Sequence, residues 1–599
     1  MLDKFLMGNE AIALGAMAAG VNLVSGYPGT PSTEVLETIA KVNDGSVYVE
    51  WSVNEKAALE VAAGASYSGA RTMVTMKQVG LNVASDPLMS LEYVGVKGGM
   101  VVMVADDPGP ISSQTEQDTR TFAQFSKLPC FDPTSAQEAY DMIQEAFDYS
   151  EKYGTPVFFR PTTRVCHAYA SVTIKDEFDY YVNIPDGFVK DSSRWVIFPR
   201  LSNINHAKIE KRNMELSDIF SSYERNSINM GDGIRMGIAT HGISYVHTVE
   251  SINELDKKPG VFKVATPFPF PERLAKEFLE SVDEVLCIEE LDPVIERALL
   301  MVCGKYGLKT TIKGKLDCTV KLSGENTRDS VDSDIKKFLG LEINCVDSCN
   351  TPELPVRPPV LCAGCPHRAS FYAVKKAMKG QESLFAGDIG CYTLGNAMPL
   401  DMVDTCLCMG AGVNITQGVG RIKPDTKCFA FVGDSTFFAS AITGVVNAVY
   451  NKADMTLVVL DNSTTAMTGH QPHPGTGKTM MNEVTAKVKI DAVLKGCGVD
   501  VVEKVNPLEL DKAVETVKRV ANMPGVKAII FESPCAVLFK PEKPCVVNHD
   551  KCIDCRKCIK EIGCPGLVIM DGKVTVDTSL CNGCGLCSQV CPVDAISRG

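Results

Sequence analysis

Cysteine is the residue type that most clearly indicates chemistry in this sequence. The chain has 599 residues and 24 cysteines, and eight of them fall between Cys552 and Cys591. In a long chain such a concentration favours ligation of metal ions or clusters over a scaffold of disulfide bonds. It also predicts a reducing environment, so we expect the protein in the cytoplasm.

The spacing of these eight cysteines predicts two [4Fe–4S] clusters. The later run, which ends in Cys591-Pro592, has the spacing of bacterial ferredoxins, in which the cysteine before proline serves the other cluster. The earlier run ends in Cys564-Pro565 after a longer loop. Structural zinc is the alternative, although two Cys-Pro ends fit zinc poorly. One cluster is therefore assigned to Cys552, Cys555, Cys558 and Cys591, and the other to Cys581, Cys584, Cys587 and Cys564.

A second group of polar residues follows two apolar segments further upstream. Residues 428–432 and 455–460 have the composition of buried strands, with a helical stretch between them. Because this is a βαβ unit, Asp434 and Asn462 should lie at the carboxyl edge of adjacent parallel strands. Mg²⁺ prefers oxygen ligands, so we predict a magnesium site formed by Asp434, Asn462 and a backbone carbonyl near Thr464.

These segments resemble those of thiamine diphosphate enzymes, whose signature is Gly-Asp-Gly with a later Asn; here Ser435 replaces the last glycine. Residues 466–471 (AMTGHQ) resemble the Met-Thr-Gly-Gly-Gln segment of the 2-oxoacid:ferredoxin oxidoreductases, with histidine in place of one glycine. Resemblance to that family implies thiamine diphosphate with Mg²⁺. The residues that it places beside the cofactor, besides the magnesium ligands, are Gly433, Ser435, Met467 and His367.

In the same family, a glutamate ahead of an Ala-rich helix protonates the aminopyrimidine ring of the cofactor. Residues 50–66 (EWSVNEKAALEVAAGAS) match that segment, and Glu55 is the matching residue. Glu50 and Glu60 are the competing choices. The role requires a partly desolvated carboxyl group, because an acid that works near neutral pH needs a raised pKa. A solvated glutamate at a helix start is the structural alternative.

Two more segments resemble substrate-binding parts of the family. Residues 27–32 (YPGTPS) resemble a loop whose threonine hydroxyl meets the carboxylate of the 2-oxoacid, and this role falls to Thr30. Residues 114–117 resemble a Thr-Glu-Gln segment near the substrate, and Arg120 follows one turn later. A guanidinium can pair with a carboxylate through two hydrogen bonds, so we expect Arg120 to bind the same group.

Four other cysteines match the ligands of a further [4Fe–4S] cluster that many members of the family hold beside the thiamine. A Cys-x2-Cys pair, a Gly-Cys loop and a Ser-Pro-Cys segment are all present, although Ala363 replaces the usual proline. The resemblance therefore implies a third cluster. The alternative is that these thiols and His367 line the cofactor pocket without iron. The four residues are Cys362, Cys365, Cys391 and Cys535.

The elements that must position these residues are mostly alternating strands and helices, which predicts an α/β fold with doubly wound parallel sheets. Apolar segments at 23–25, 72–75, 101–105, 236–239, 261–264 and 284–288 are the predicted strands outside the magnesium region. Residues 11–21 are interpreted as an amphipathic helix, and four prolines within 351–359 predict a linker. The predicted domains are an aminopyrimidine-binding α/β domain (1–195), a polar connector (196–232), a smaller α/β domain like the carboxyl-terminal domain of transketolase (233–345), a diphosphate- and magnesium-binding α/β domain (346–540) and an α+β ferredoxin-like domain (541–599).

Composition argues against two classes of partner. The net charge of −13 is wrong for a protein that coats nucleic acid, because phosphate binding needs a basic surface. The sequence has no apolar run long enough for a transmembrane helix, so no membrane partner is expected.

The resemblance covers nearly the whole chain and is strongest to large subunits that act on arylpyruvates such as indolepyruvate. It implies oxidative decarboxylation of an arylpyruvate with coenzyme A to an arylacetyl-CoA and CO₂, with electrons passing through the clusters to ferredoxin. It also implies a smaller beta subunit, with two copies of each chain in the complex. Two alternatives stay open: another 2-oxoacid, such as pyruvate or a branched-chain acid, and a non-catalytic, ferredoxin-like electron-transfer subunit.

Overall fold

The computed structural model describes residues 2–342 and 354–599, and the chain divides into two compact units, Met1–Thr351 and Pro352–Gly599. Both units are built on largely parallel sheets whose strands alternate along the chain with helices. The apolar segments that predicted strands all lie in or overlap observed strands. The α/β fold class inferred from the sequence is therefore confirmed.

The strands of the first unit form two sheets and a separate antiparallel pair. Their bounds are β1 Leu2–Met7, β2 Leu23–Gly26, β3 Tyr48–Trp51, β4 Thr72–Lys77, β5 Met100–Ala105, β6 Cys130–Phe131, β7 Val157–Phe159, β8 Tyr169–Ile174, β9 Ser227–Asn229, β10 Met236–Thr240, β11 Gly260–Lys263, β12 Glu284–Ile288 and β13 Thr311–Lys313. The larger sheet has the order β3-β2-β4-β5-β7-β6, and its strand pairs are parallel. The second has the order β13-β12-β10-β11-β9, with β9 antiparallel, and β1 pairs with β8.

Helices connect these strands, and two of them differ from the sequence-based expectation. Their bounds are α1 Gly8–Ala18, α2 Thr33–Val42, α3 Glu55–Tyr67, α4 Gln78–Val94, α5 Thr119–Ser126, α6 Ala136–Tyr153, α7 Thr163–His167, α8 Ser192–Trp195, α9 Pro199–Phe220, α10 Gly242–Asn253, α11 Glu272–Ser281, α12 Val294–Tyr306 and α13 Arg328–Phe338. The predicted connector is largely a helix, α9. The predicted amphipathic helix, α1, is buried on most sides because α2 and α6 both pack against it.

The second unit has one parallel sheet with helices on both faces. Its strands are β14 Ser383–Ala386, β15 Lys427–Gly433, β16 Met455–Asp461, β17 Val501–Val505 and β18 Val526–Glu532, in the order β14-β15-β16-β18-β17. Its helices are α14 Pro366–Ala377, α15 Ala411–Ile422, α16 Asp434–Thr436, α17 Ile442–Tyr450, α18 Ile490–Gly496 and α19 Leu510–Ala521. Alternate residues of β15 face different hydrophobic clusters, as side chains of a strand buried on both faces must.

The cysteine-rich tail consists of short antiparallel pairs and single-turn helices. It contains β19 Val546–Val547, α20 Lys557–Lys560, β20 Leu567–Met570, β21 Lys573–Val576, α21 Leu586–Val590 and β22 Ile596–Ser597, with β19 paired to β22 and β20 to β21. Its apolar residues join a hydrophobic cluster that also includes residues of α14 and α19. A segment this small has little core of its own, and part of its support comes from these neighbouring helices.

Two predictions reach residues outside the described ranges. The predicted linker at 351–359 begins there, whereas its described part, 354–359, has no regular secondary structure. The predicted domain boundary at 345/346 also lies outside the described residues. None of the helices within 2–342 and 354–599 combines the length and the apolar character needed to span a bilayer.

Candidate functional site

The residues predicted to bind magnesium lie together at the carboxyl edge of the sheet in the second unit. β15 and β16 are parallel neighbours, and Asp434 and Asn462 directly follow them, as the βαβ pattern predicts. The backbone N–H of Asn462 donates to Oδ2 of Asp434 over 3.2 Å, and that of Thr464 donates to Oδ1 of Asn462 over 3.4 Å. All three residues are buried. Their oxygen atoms are of the kind that Mg²⁺ takes as ligands.

Two residues that sequence reasoning missed fix the turn after β15. Nε2 of His473 lies 3.1 Å from Oδ2 of Asp434. Burial raises the pKa of this carboxyl, but His473, the backbone N–H of Ser435 and His367 together hold it below its usual value. Asp388 accepts hydrogen bonds from the backbone N–H groups of Gly433 (3.3 Å) and Gly410 (2.9 Å), and burial raises its pKa to about 6. The segment before Asp388, LFAGD, repeats the pattern FAFVGD that located Asp434, and this repetition is the signal that finds it.

The remaining residues predicted beside the cofactor differ in burial. His367, in the first turn of α14, is buried, and Nδ2 of Asn462 lies 3.3 Å from its Nε2. Burial lowers the pKa of His367 to about 4, so its imidazole is neutral at neutral pH. Gly433 ends β15, and Ser435 is buried in α16. Met467 is mostly exposed, so the structure does not enclose it.

Four thiols of the second unit lie close to the same sheet edge. Besides burial, the charges of Cys391 and Cys362 raise the pKa of the Cys365 thiol, and those of Cys535 and Cys362 raise the pKa of the Cys391 thiol. The backbone N–H of Cys535 donates to the carbonyl of Asn462 over 2.9 Å, which ties this set to the magnesium residues. Burial raises the pKa of the Cys365 thiol to about 12 and that of Cys391 to about 11. The four cysteines predicted for a third cluster therefore lie in one neighbourhood, close enough for their charges to interact.

The eight cysteines of the two runs divide into the same two sets that their spacing predicts. Cys552, Cys555, Cys558 and Cys591 line one cavity, and Cys564, Cys581, Cys584 and Cys587 line another. Each set surrounds a void, as thiolates around a cubane must. Within the described residues, no three His, Cys, Asp or Glu side chains converge as closely as ligands of a single metal ion.

The second of these cavities also receives residues that sequence reasoning did not assign to it. Cys545 is buried in its wall, and its backbone N–H donates to the sulfur of Cys581 over 3.4 Å. Cys365 and Arg368 line the same cavity from α14 and the loop before it. No spacing motif marks Cys545 or Arg368, and the Cys-x2-Cys pair that contains Cys365 was assigned to the third cluster, because all three approach the cavity from segments outside the two cysteine runs.

In the first unit, Glu55 begins α3 with its side chain in a confined space. Asn54 caps the helix by accepting a hydrogen bond from Ala57. A Cβ atom on Gly80 would lie 2.5 Å from Oε1 of Glu55, so the glycine leaves room for the carboxyl group. Burial raises the pKa of Glu55 to about 7 against the opposing effects of its own backbone N–H and of Lys77. The competing Glu60 is exposed and pairs with Lys56.

Thr30 lies on a loop that is linked through Ser112 to Lys77, the residue whose charge acts on Glu55. The carbonyl of Thr30 accepts a hydrogen bond from the hydroxyl of Ser112 over 3.1 Å, and Nζ of Lys77 donates to the carbonyl of Ser112, also over 3.1 Å. Burial lowers the pKa of Lys77 while Asp107 and Glu55 act in the opposite direction. Thr30 lies on the loop that follows β2, and Lys77 is the last residue of β4. Because these strands are parallel neighbours, both residues lie at the carboxyl edge of the larger sheet.

The predicted role of Arg120 in substrate binding is wrong. Its guanidinium is fully buried, and all of its donors are occupied by protein acceptors. Asp118 and Glu289 form ion pairs with it at 2.6 and 2.9 Å, and the carbonyls of Glu290 and Asp292 take further hydrogen bonds. Arg120 therefore joins the two sheets of the first unit and has no donor left for a substrate carboxylate.

Three domain families match separate parts of the chain. Residues 14–198 match the family described as pyruvate flavodoxin/ferredoxin oxidoreductase, thiamine diP-bdg, and residues 388–530 match the thiamine pyrophosphate enzyme, C-terminal TPP binding domain. Residues 574–597 match the 4Fe-4S binding domain. Thiamine-binding domains and a ferredoxin-like tail on one chain define a 2-oxoacid:ferredoxin oxidoreductase that uses thiamine diphosphate and iron–sulfur clusters.

Full-length relatives narrow this class to one family. The indolepyruvate oxidoreductase subunit IorA of Archaeoglobus fulgidus is 40% identical over 99% of this chain and 97% of its own length. The IorA subunits of Methanothermobacter thermautotrophicus (40% identical, 99% and 97% covered) and Pyrococcus abyssi (38%, 99% and 96%) are similar. The chain belongs to the indolepyruvate oxidoreductase subunit IorA family.

Proposed function

We propose that this chain catalyses the oxidative decarboxylation of arylpyruvates with coenzyme A. The products are an arylacetyl-CoA, CO₂ and a proton, and two electrons pass to ferredoxin. The class of the chain supports the redox chemistry, and the name that its relatives carry supports indolepyruvate and similar arylpyruvates as substrates. Coenzyme A as the acyl acceptor follows from the resemblance to the family.

The observation that carries the proposal is the environment of Glu55. When bound, thiamine diphosphate supplies the carbon nucleophile and electron sink that decarboxylation of a 2-oxoacid requires. Glu55 contributes a carboxyl group whose pKa of about 7 lets it hold or release a proton near neutral pH. Gly80 leaves the space that this carboxyl occupies, from which it would hold or release a proton of the aminopyrimidine ring.

Thr30 and Lys77 are the groups that we assign to the substrate. The hydroxyl of Thr30 would donate a hydrogen bond to the 2-oxoacid carboxylate. Nζ of Lys77, held by the carbonyl of Ser112, adds positive charge at the same edge of the sheet. Arg120 has no part in this assignment.

The diphosphate end of the cofactor is assigned to the second unit. Asp434, Asn462 and the Thr464 carbonyl would hold Mg²⁺, and His473 and Asp388 would fix the turn that carries Asp434. His367 and Ser435 are the buried neighbours that complete the wall. Oxygen donors at one sheet edge suit a magnesium diphosphate.

The cysteines are assigned to three [4Fe–4S] clusters that supply one-electron acceptors when present. Two belong to the tail cavities and the third to Cys362, Cys365, Cys391 and Cys535. Cys365 lines the same cavity as Cys564, Cys581, Cys584 and Cys587. This proximity supports electron transfer from the third cluster to the cluster in that cavity. A smaller beta subunit, two of each chain in the complex and ferredoxin as the acceptor complete the proposal.

Anaerobic reconstitution of the chain with its partner subunit tests this function. Reduction of a viologen would be followed with indolepyruvate, phenylpyruvate and pyruvate, each with and without coenzyme A. We expect turnover that depends on coenzyme A and is fastest with the aryl substrates. Turnover with pyruvate or a branched-chain acid and none with indolepyruvate would assign the same chemistry to another substrate. Protein that binds no thiamine diphosphate would support the electron-transfer alternative.

A further inference from the structure

Arg368 differs from the other buried arginines of the described chain in having no carboxylate partner. Arg120, Arg160 and Arg71 are equally or similarly buried, and each forms ion pairs with acidic side chains. Arg368 is 4% exposed, and the described residues place no carboxylate within ion-pair distance of it. A buried charge without a counter-charge is strongly destabilising.

The hydrogen bonds of Arg368 satisfy most of its donors without neutralising its charge. Its Nη1 donates to the carbonyls of Ile562 (2.6 Å) and Gly563 (2.8 Å), and its Nη2 donates to the carbonyl of Leu361. All of these acceptors are uncharged backbone groups. The remaining donor, Nε, is buried and has no hydrogen-bond partner.

Arg368 lines one cavity together with thiols from two of the proposed cluster sites. Cys564 and Cys584 belong to one tail set, and Cys362 and Cys365 belong to the set beside the magnesium residues. The first of these sets surrounds that cavity. An iron–sulfur cluster with four thiolate ligands is an anion, so the cavity is where the missing counter-charge would reside.

We propose that Arg368 is the counter-ion of the cluster held by Cys564, Cys581, Cys584 and Cys587, and that its Nε–H donates a hydrogen bond to a sulfur of that site. This inference rests on the proposed function. Reduction adds one electron, delivered by 2-oxoacid oxidation and later passed to ferredoxin, and it forms or breaks no bond. Arg368 stabilises the reduced, more negative state more than the oxidised one. It thereby raises the reduction potential of this cluster.

Arg598 provides a matched control beside the same cysteine loop. Its Nη2 donates to the carbonyl of Cys584 over 2.8 Å, and its Nη1 lies 3.7 Å from Glu542. Its side chain is more than half exposed, so water and a carboxylate already compensate its charge. Arg598→Met and Arg368→Met therefore remove the same group from the same neighbourhood and differ in burial.

The test is a redox titration of the reconstituted complex, monitored by electron paramagnetic resonance, after iron and sulfide have been counted. In Arg368→Met we expect the ratio of reduced to oxidised cluster at a fixed potential to fall about tenfold or more, equivalent to about 59 mV for one electron. Arg368→Lys keeps the charge, so its reduction potential should lie close to that of wild type. Arg598→Met should change the potential little. An unchanged potential in an Arg368→Met protein with full iron content would overturn the inference.

A second measurement covers the case in which Arg368→Met fails to assemble. Arg598→Met protein labelled with ¹⁵N-arginine should show nitrogen hyperfine coupling to the reduced cluster of Cys564, Cys581, Cys584 and Cys587 in pulsed resonance. Additional Arg368→Lys should abolish that coupling and leave any coupling of the other tail cluster, whose cavity Arg556 lines, unchanged. Absence of coupling in the labelled protein would refute the hydrogen bond. Wild-type protein without iron or sulfide would instead count against the proposed function itself.

Discussion

At the scale of single residues, the chemistry depends on carboxyl groups whose surroundings shift their pKa in opposite directions. Glu55 is confined beside Gly80, and burial raises its pKa to about 7. Asp434 is more deeply buried, but His473, the backbone N–H of Ser435 and His367 together hold its pKa below the usual value. One group is thus suited to proton transfer and the other to permanent negative charge, which a metal ligand needs.

Glu55→Gln should greatly reduce activity and stabilise the cofactor-free chain at alkaline pH. An unfolded glutamate titrates near 4.5 and folded Glu55 near 7, so between these values the unfolded chain binds fewer protons and stability falls as pH rises. We expect the free energy of unfolding of Glu55→Gln to exceed that of wild type by about 1–3 kcal/mol at pH 8, and by much less at pH 5. Thermal unfolding at both pH values measures this, and turnover should drop about 100-fold or more.

Glu60→Gln is the matched control, because Glu60 is exposed on the same helix and pairs with Lys56. It should leave both turnover and the pH dependence of unfolding close to those of wild type. If Glu60→Gln rather than Glu55→Gln lost turnover, the assignment of the proton-transfer residue would pass to the competing glutamate.

Asp434→Asn should weaken the binding of thiamine diphosphate in a way that depends on magnesium. The substitution keeps the size of the side chain and removes the charge that a hard cation requires. We expect the dissociation constant of thiamine diphosphate at low Mg²⁺ to rise at least tenfold and to recover partly with excess Mg²⁺, as measured by titration calorimetry. Asp425→Asn, on an exposed loop, serves as control. Equal binding by Asp434→Asn and wild type at low Mg²⁺ would contradict the metal assignment.

At the scale of secondary-structure elements, the strand ends carry the site and glycines set the approach of neighbouring elements. Gly80 lies in the first turn of α4, and the carboxyl group of Glu55 fills the space that a Cβ at this position would need. Gly80→Ala should therefore displace the carboxyl and reduce turnover at least tenfold, as measured in the viologen assay, with little loss of folding. Gly64→Ala on α3 meets open space and should stabilise the chain by about 0.5–1 kcal/mol. Full turnover by Gly80→Ala would show that Glu55 needs no such space.

Gly364 brings the loop before α14 into direct contact with a cysteine loop of the tail. A Cβ on Gly364 would lie 1.9 Å from Oδ1 of Asn582, and its φ of +73° already disfavours other residues. Gly364→Ala should lower both the iron content and the apparent Tm of the assembled protein. Gly380→Ala has a similar φ, +83°, but open space around it, so it isolates the cost of backbone strain. If both variants lost the same amount of iron and the same apparent Tm, the contact between Gly364 and Asn582 would have no role in assembly.

Sequence reasoning succeeded where a local pattern determines the position of a residue, and it failed where distant segments meet. The proximity of Asp434 and Asn462, which are 28 residues apart, could be predicted because each follows a strand and parallel neighbouring strands end at the same edge of a sheet. The cysteine sets follow from spacing that fits a cubane. Arg120 was misassigned because its partner Glu289, 169 residues away in the chain, cannot be identified from local sequence. Arg368 and Cys545 were missed for the same reason.

At the scale of the whole molecule, the tail and the parallel sheet of the second unit share one hydrophobic core. Ile562 and Cys587 of the tail belong to the same buried cluster as Phe371 of α14 and Val517 of α19. Damage to a tail cavity should therefore spread to α14, which also carries His367. Iron incorporation and folding of this unit are thus expected to be coupled.

The number of iron atoms per chain decides how many clusters this unit holds. Three clusters require about 12 iron atoms and two require about 8, measured with acid-labile sulfide on anaerobically reconstituted full-length protein. Cys391→Ser removes a thiol that faces Cys365 and Cys535, so it should lower the count by about four. Cys497→Ser, at the end of α18 and outside all three sets, should leave the count unchanged. About 8 iron atoms in both wild type and Cys391→Ser would mean that these four thiols border the cofactor without iron, and electrons would then have to reach the tail directly.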